Sequence, residues 1–201
     1  MSLPAFEQMT PLEIARWAIA QAEGRAVVST NFRPYEAVIL HLATRVQPGI
    51  PVLWVDHGFN RPATYRFADR LTQALKLNLK IYHPRLSAAH WIARYGEPSC
   101  DDEAKIREFA AVMKLEPFER AMRELAPRVW LTALRKAQNP HRATLGVVMP
   151  DSKFGTVKVS PVFYMSDSDM ESYLAEHNLP NEWDYFDPAK CDEKRECGLH
   201  T

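Results

Sequence analysis

Short apolar bursts alternate with segments of helical period along the first half of this chain, and no other sequence feature restricts the fold as tightly. Residues 26–29 (AVVS) are apolar but too short for a helix and predict a buried strand; residues 51–55 (PVLWV) and 79–82 (LKIY) predict two more. Between them the period changes to that of a helix. Residues 35–46 place Val38, Leu42 and Val46 on one side, and residues 63–75 offer Tyr65, Phe67, Leu71 and Leu75 as core. Strand, helix, strand, helix, strand predicts parallel pairing through right-handed crossovers. The fold class is therefore α/β: a doubly wound, mostly parallel sheet with helices on both faces. Ligands of such sheets bind beyond the carboxyl ends of the strands, which directs attention to residues 29–35 and 56–60.

The remaining segments fit the same plan. Thr10 as N-cap, Pro11 at the first helical position and Glu13 completing a capping box predict an opening helix that Gly24 stops. Residues 101–113 and 117–125 are helical in period, 129–134 (VWLTAL) predict a buried strand, and 156–159 (TVKV) a short one entered from Gly155. A capped helix begins near Ser166 or Ser168. From Asn181 the composition turns polar and aromatic with little period. The chain is thus expected to be one domain over residues 1–180 followed by a flexible C-terminal tail over 181–201.

Bulk properties exclude several classes. Lys plus Arg and Asp plus Glu both total 25, so the chain has no overall field to draw in nucleic acid or an anionic membrane. No apolar run approaches the roughly 20 residues that span a bilayer, and the first residues have no secretory pattern. The three cysteines, Cys100, Cys191 and Cys197, form neither a disulfide framework nor a CxxC pair, and no histidine spacing signals a metal site. A reducing cytoplasm is the expected location.

Chemistry-bearing residues gather at four places. Cys197 sits in KRECGLH, where Lys194, Arg195 and His200 can lower a thiol's pKa and Gly198 leaves the sulfur open; a solvent-facing cysteine in a charged tail would read the same way. Ser29, Thr30, Asn31 and Phe32 precede a helix N-terminus, where hydroxyls, amides and the helix dipole suit an anion, although an N-cap and turn need the same residues. Arg33 can meet such an anion directly, while Pro34 has no N–H to donate. Asp56 and Gly58 follow the second strand, with Asp56 able to accept from a base or ribose. Arg135, Lys136 and Arg142, with His141, follow VWLTAL and can bind phosphate or sulfate, or form a solvated basic loop. His41, His83 and His90 fall inside helix or strand patterns and are expected to be structural.

Taken together, these positions resemble the phosphoadenylyl sulfate reductase family of assimilatory sulfate reduction, from about Arg25 to Leu179 and again at the tail. The densest stretches are IPVLWVDHGFNRPATYRFADRLTQALKLNLKIY, KLEPFERAMRELAPRVWLTALRKAQNPHRA and KRECGLH. The resemblance implies an adenine nucleotide alpha-hydrolase-like fold and Cys197 as nucleophile, attacking the sulfonate sulfur of 3′-phosphoadenylyl sulfate to give S-sulfocysteine. Thioredoxin or glutaredoxin would then release sulfite. It further implies a nucleotide loop at Ser29, Thr30, Asn31, Phe32 and Arg33, a second contact at Asp56 and Gly58, and an anion-binding stretch at Arg135, Lys136, Gln138 and Arg142, with Arg195 and His200 flanking the thiol. No bound cofactor and no iron–sulfur cluster are implied, and a homodimer is allowed. Arg33 stands where typical members carry glycine, Lys136 where they carry a second arginine, and only a short segment separates Leu179 from Cys197. A non-catalytic nucleotide-binding relative, or an enzyme handling a different adenylated compound, stays open at this point.

Overall fold

The computed structural model describes residues 3–99 and 101–189. Cys100, Cys191 and Cys197 therefore lie outside the described residues, as do Arg195 and His200.

Six strands form one sheet in the order β3–β2–β1–β4–β6–β5: β1 (Ala26–Thr30), β2 (Pro51–Val55), β3 (Asn78–Tyr82), β4 (Val129–Leu131), β5 (Val148–Asp151) and β6 (Thr156–Val159). All neighbours are parallel except β5, which pairs antiparallel with β6 at the edge. Every strand predicted from the sequence is present, and β5 is added. Its VMPD sequence reads as turn, yet an edge strand tolerates Pro150 because one side of the ladder is unpaired.

Successive side chains of a strand point to opposite faces, and the sheet uses both. Val28, Val52, Trp54, Val129 and Leu131 pack into the larger core, with α1 (Pro11–Gln21), α2 (Glu36–Val46), α3 (Pro62–Leu75) and α8 (Asp167–Glu176). Their sequence neighbours Val27, Leu53 and Trp130 face the other way, onto Phe118, Ala121 and Met122 of α6 (Glu116–Leu125). Helices on both faces thus follow from central strands that are apolar at successive positions, Val27–Val28 in β1, Val52–Leu53–Trp54 in β2 and Val129–Trp130–Leu131 in β4. Thr10 caps α1 through the predicted capping box with Glu13, and Ser166 caps α8.

Among the described residues the remaining α-helices are α4 (Ala88–Tyr95), α5 (Glu103–Ala110) and the short α7 (Pro140–Ala143). Helix α4 was not expected from the sequence. Helix α5 continues through a π-helical turn, Ala111–Leu115, directly into α6. Such turns turn a side chain out of helical register and recur at functional sites; this one carries Lys114. Among the described residues, no helix is long and apolar enough to cross a membrane.

Candidate active site

Strands β1 and β4 are neighbours from which the chain departs in opposite directions, which makes the space beyond their carboxyl ends the switch point of the sheet. The loop leaving β1 there contains no glycine, yet Phe32 (φ 55°) and Tyr35 (φ 72°) take left-handed backbone. That conformation costs a non-glycine residue on the order of 1 kcal/mol, so it has to be held. The Phe32 ring does part of this. It is fully buried, edge-on to Trp54 at 5.0 Å and to Phe67 at 6.3 Å. Glu36 does the rest from the first turn of α2. Its carboxylate accepts from Thr30 Oγ1 at 2.6 Å and from the Asn31 N–H at 2.7 Å, and Arg33 Nε lies 3.2 Å from its other oxygen.

A cavity opens above this loop. Its floor is apolar, made by Leu53, Val55, Phe118 and Trp130, while its walls carry Asn31, Arg33, Glu36, His57, Lys114 and Arg142. The Trp130 indole N–H donates to Ser29 Oγ at 2.8 Å, and Lys158 Nζ stands 4.9 Å over the far ring. A second, more open lobe shares Arg33 and Arg142 with the first and adds Arg135, Tyr35, Trp183 and Tyr185. The two lobes form one cleft, apolar at the bottom and cationic where they meet. An aromatic, multiply anionic ligand fits that chemistry.

The three basic residues after β4 part company. Arg135 is 6% exposed and held by Asp167 (Nη2 to Oδ1, 2.6 Å), the Met165 carbonyl and the Tyr35 ring. Arg142 is 4% exposed, lines both lobes and donates to Gln138 Oε1. Lys136 is exposed and lines neither lobe, because the turn Lys136–Gln138 faces it outward.

Asp56 and Gly58 build the turn after β2 and do not line the cavity. Asp56 Oδ1 accepts from the Gly58 N–H (3.0 Å), Asn60 Nδ2 (2.9 Å) and Tyr65 Oη (2.8 Å), while its Oδ2 lies 3.7 Å from His83 Nδ1. Gly58 has φ 78°, and a Cβ there would come within 3.1 Å of Ala88 Cβ on α4. The side chain between them, His57, reaches the cavity. It accepts the Phe59 N–H at Nδ1 (3.1 Å), which leaves Nε2 as its proton-bearing nitrogen. Burial, and then the neighbouring Lys114 charge, depress its pKa to about 4, so the ring is neutral at ordinary pH.

Residues 181–189 cross the mouth of the cleft as an extended strap. Asn181 Oδ1 caps the Tyr35 N–H (2.8 Å), Trp183 packs on the Tyr35 ring, Asn31 Nδ2 donates to Tyr185 Oη (3.1 Å), and Asp184 pairs with Arg61. Asp187, 4% exposed, then meets Lys114 Nζ at 2.5 Å, and Ala189 enters the cluster of Trp91, Phe109 and Met113. The sequence expectation of a flexible tail from Asn181 is corrected for this stretch. Polar composition without period hid it, because each strap residue finds a different partner and none shares a face.

With this geometry in view, the comparisons with known proteins are decisive. The family model described as "Phosphoadenosine phosphosulfate reductase domain" matches residues 25–183. The chain belongs to this family. It is 34% identical to the phosphoadenosine 5′-phosphosulfate reductase of Synechococcus sp., over 94% of this chain and 90% of that protein. It is 36% identical to the enzyme of the same name from Xylella fastidiosa, over 92% and 86%. The crystal structure of phosphoadenylyl-sulfate reductase from Candida auris, a phosphate complex, superposes with a TM-score of 0.76, covers 90% of each chain at 23% identity, and supports the fold.

Within the reductase-family frame, the structure gathers Ser29, Thr30, Asn31, Arg33 and Arg142 around the cavity and sets Arg135 in its outer lobe. Phe32 belongs to the core, Asp56 and Gly58 to the turn beneath, and Lys136 to the surface. The expected anion cradle at the start of α2 is altered as well. Glu36 already places a carboxylate there and takes the Asn31 N–H. Arg33 is not among the left-handed residues, so its position needs no glycine. Glu36, His57, Lys114, Phe118, Trp130 and Tyr185 were not foreseen. Only the KLEP stretch and the residue after Asp56 offered a signal, and neither says that it faces a cavity. Among the described residues, no group of three or more His, Cys, Asp or Glu is placed to hold a metal ion.

Proposed function

We infer that this protein is a phosphoadenylyl sulfate reductase whose nucleotide lies in the cleft at the switch point of the sheet. The observation that carries the assignment of the site is the combination of an apolar floor with Arg33 and Arg142 at the junction of two lobes, in a chain that belongs to this family. The adenosine rests on Leu53, Val55, Phe118 and Trp130. Its phosphates meet Arg33 and Arg142, and Arg135 borders the outer lobe. The sulfonyl end points toward Lys114 and His57, where the strap ends and the segment bearing Cys197 begins in the sequence.

In the first half-reaction the Cys197 thiolate attacks the sulfonate sulfur. An S–S bond forms, the S–O bond to the phosphate breaks, and adenosine 3′,5′-bisphosphate leaves with that electron pair. Lys114 stabilises charge developing on the departing or equatorial oxygens. Arg195 and His200 beside Cys197 favour its thiolate. In the second half-reaction a thiolate of thioredoxin or glutaredoxin attacks the Cys197 sulfur and expels sulfite; the partner's second thiol resolves the mixed disulfide and returns Cys197 to its reduced form. From Asp187 to Cys197 the chain advances ten positions, a leash of at most roughly 35 Å.

The test is intact-protein mass spectrometry of the reduced protein after incubation with 3′-phosphoadenylyl sulfate, beside Cys197→Ser. A sulfonate adduct on the wild type alone, removed by reduced thioredoxin with release of sulfite, is expected. A folded protein whose Cys197 alkylates but gains no sulfonate would move the assignment to a relative that binds without turnover.

A further inference from the structure

The Lys114–Asp187 pair is out of keeping with the rest of the strap. The strap's polar contacts with Tyr35, Asn31 and Arg61 are exposed or half-buried, whereas here two opposite charges are 5% and 4% exposed and meet at 2.5 Å. Burying an ion pair away from water costs about as much as its attraction returns, so such a pair is weak as a stabilising device and its retention calls for another role. Its position supplies one. Lys114 is brought to the cavity wall by the π turn, between His57 and Phe118, and Asp187 is the partner its ammonium has among the described residues. Burial opposes a charge on Asp187, but Lys114, then His57 and the Ala189 N–H, outweigh it and hold the carboxyl below its ordinary range.

We propose that Asp187 is a displaceable internal anion: it occupies Lys114 in the unliganded protein, and the sulfonucleotide's sulfonyl or phosphoryl oxygens take its place. Substrate binding then unlatches residues 181–189 from Lys114 at the same moment that it loads the cleft. Asp187 is in this view a positioning residue acting through Lys114. The strap's other attachments, at Tyr35, Asn31 and Arg61 and through Ala189 in the cluster of Trp91, Phe109 and Met113, keep it rooted at the cleft while Asp187 gives up Lys114. The proposal rests on the reductase reading above.

Two measurements on the full chain test it. The first compares wild type, Asp187→Asn and Asp187→Glu in steady-state turnover with thioredoxin, and in calorimetric binding of adenosine 3′,5′-bisphosphate. A latch closed in about nine molecules in ten lowers apparent affinity about tenfold. Asp187→Asn should therefore lower KM and Kd by about that factor, and Asp187→Glu should restore both toward wild type. The second is hydrogen exchange of the 181–189 peptides in the wild type, which should quicken when the nucleotide binds. A Kd and KM unchanged or raised in Asp187→Asn, or exchange that slows or stays constant on binding, would overturn the latch while leaving the reductase reading intact. A wild type that neither binds nor turns over the nucleotide would overturn both.

Discussion

Replacing Glu36 should move stability and ligand affinity in opposite directions, an outcome peculiar to the arrangement of the β1–α2 loop. The Glu36 carboxylate accepts two short hydrogen bonds, from Thr30 Oγ1 and the Asn31 N–H, and pairs with Arg33. A hydrogen bond to a charged group is worth about 1.5–3 kcal/mol, and a backbone N–H stranded without a partner costs about 1–3 kcal/mol. The Thr30 hydroxyl can rotate toward a new partner, whereas the Asn31 N–H is fixed. Removing a carboxylate from a site that is 5% exposed also recovers part of its desolvation cost. The net expectation is a loss of about 2–3 kcal/mol for Glu36→Ala and about 1 kcal/mol for Glu36→Gln, which keeps one acceptor oxygen. Urea unfolding reads this as a lower midpoint at unchanged slope. Affinity goes the other way. A unit charge about 8 Å from a bound anion, at an effective dielectric of about 20, repels it by about 2 kcal/mol, and Arg33 cancels part of that. Glu36→Gln should therefore bind adenosine 3′,5′-bisphosphate several-fold more tightly despite being less stable. Glu36→Ala as stable as wild type to within about 0.5 kcal/mol, or Glu36→Gln binding more weakly, would refute this account of the loop.

Two further outcomes follow from the site. His57 has a folded pKa of about 4 against an ordinary 6.5, so between those values the unfolded chain takes up a proton that the folded one does not; stability is full above about pH 6.5 and falls as pH drops toward 4, by about 3 kcal/mol at most, and a slope between pH 4 and 6.5 that His57→Asn fails to flatten would contradict it. The basic stretch after β4 should separate by exposure: Arg142→Ala weakens nucleotide binding by tenfold or more (about 1.4 kcal/mol), whereas Lys136→Ala leaves Kd within about twofold, and equal losses in calorimetry would return Lys136 to the site.

Local physics in the sequence determined the elements and their layering. The apolar runs at 26–29, 51–55 and 129–134 could only be strands buried on both faces, and the Thr10-Pro11-Glu13 capping box marked its helix start. Alternating order makes the sheet parallel, and so directs a ligand beyond the carboxyl ends of β1 and β2. What the tertiary structure decided was which of the side chains there face the ligand space. Asp56, His57 and Gly58 are consecutive, and only the middle one enters the cavity, because a tight turn points neighbouring side chains apart. Arg135, Lys136 and Arg142 carry one charge each, but burial against Asp167, exposure on a turn and placement between two lobes give them three different roles. Lys114 and Asp187 stand 73 positions apart with no shared period, and only the closing of the strap over the sheet brings them together. Period and capping are properties of neighbours along the chain, so the sequence displays them. A cleft is made by residues distant along it, so its lining awaited the fold.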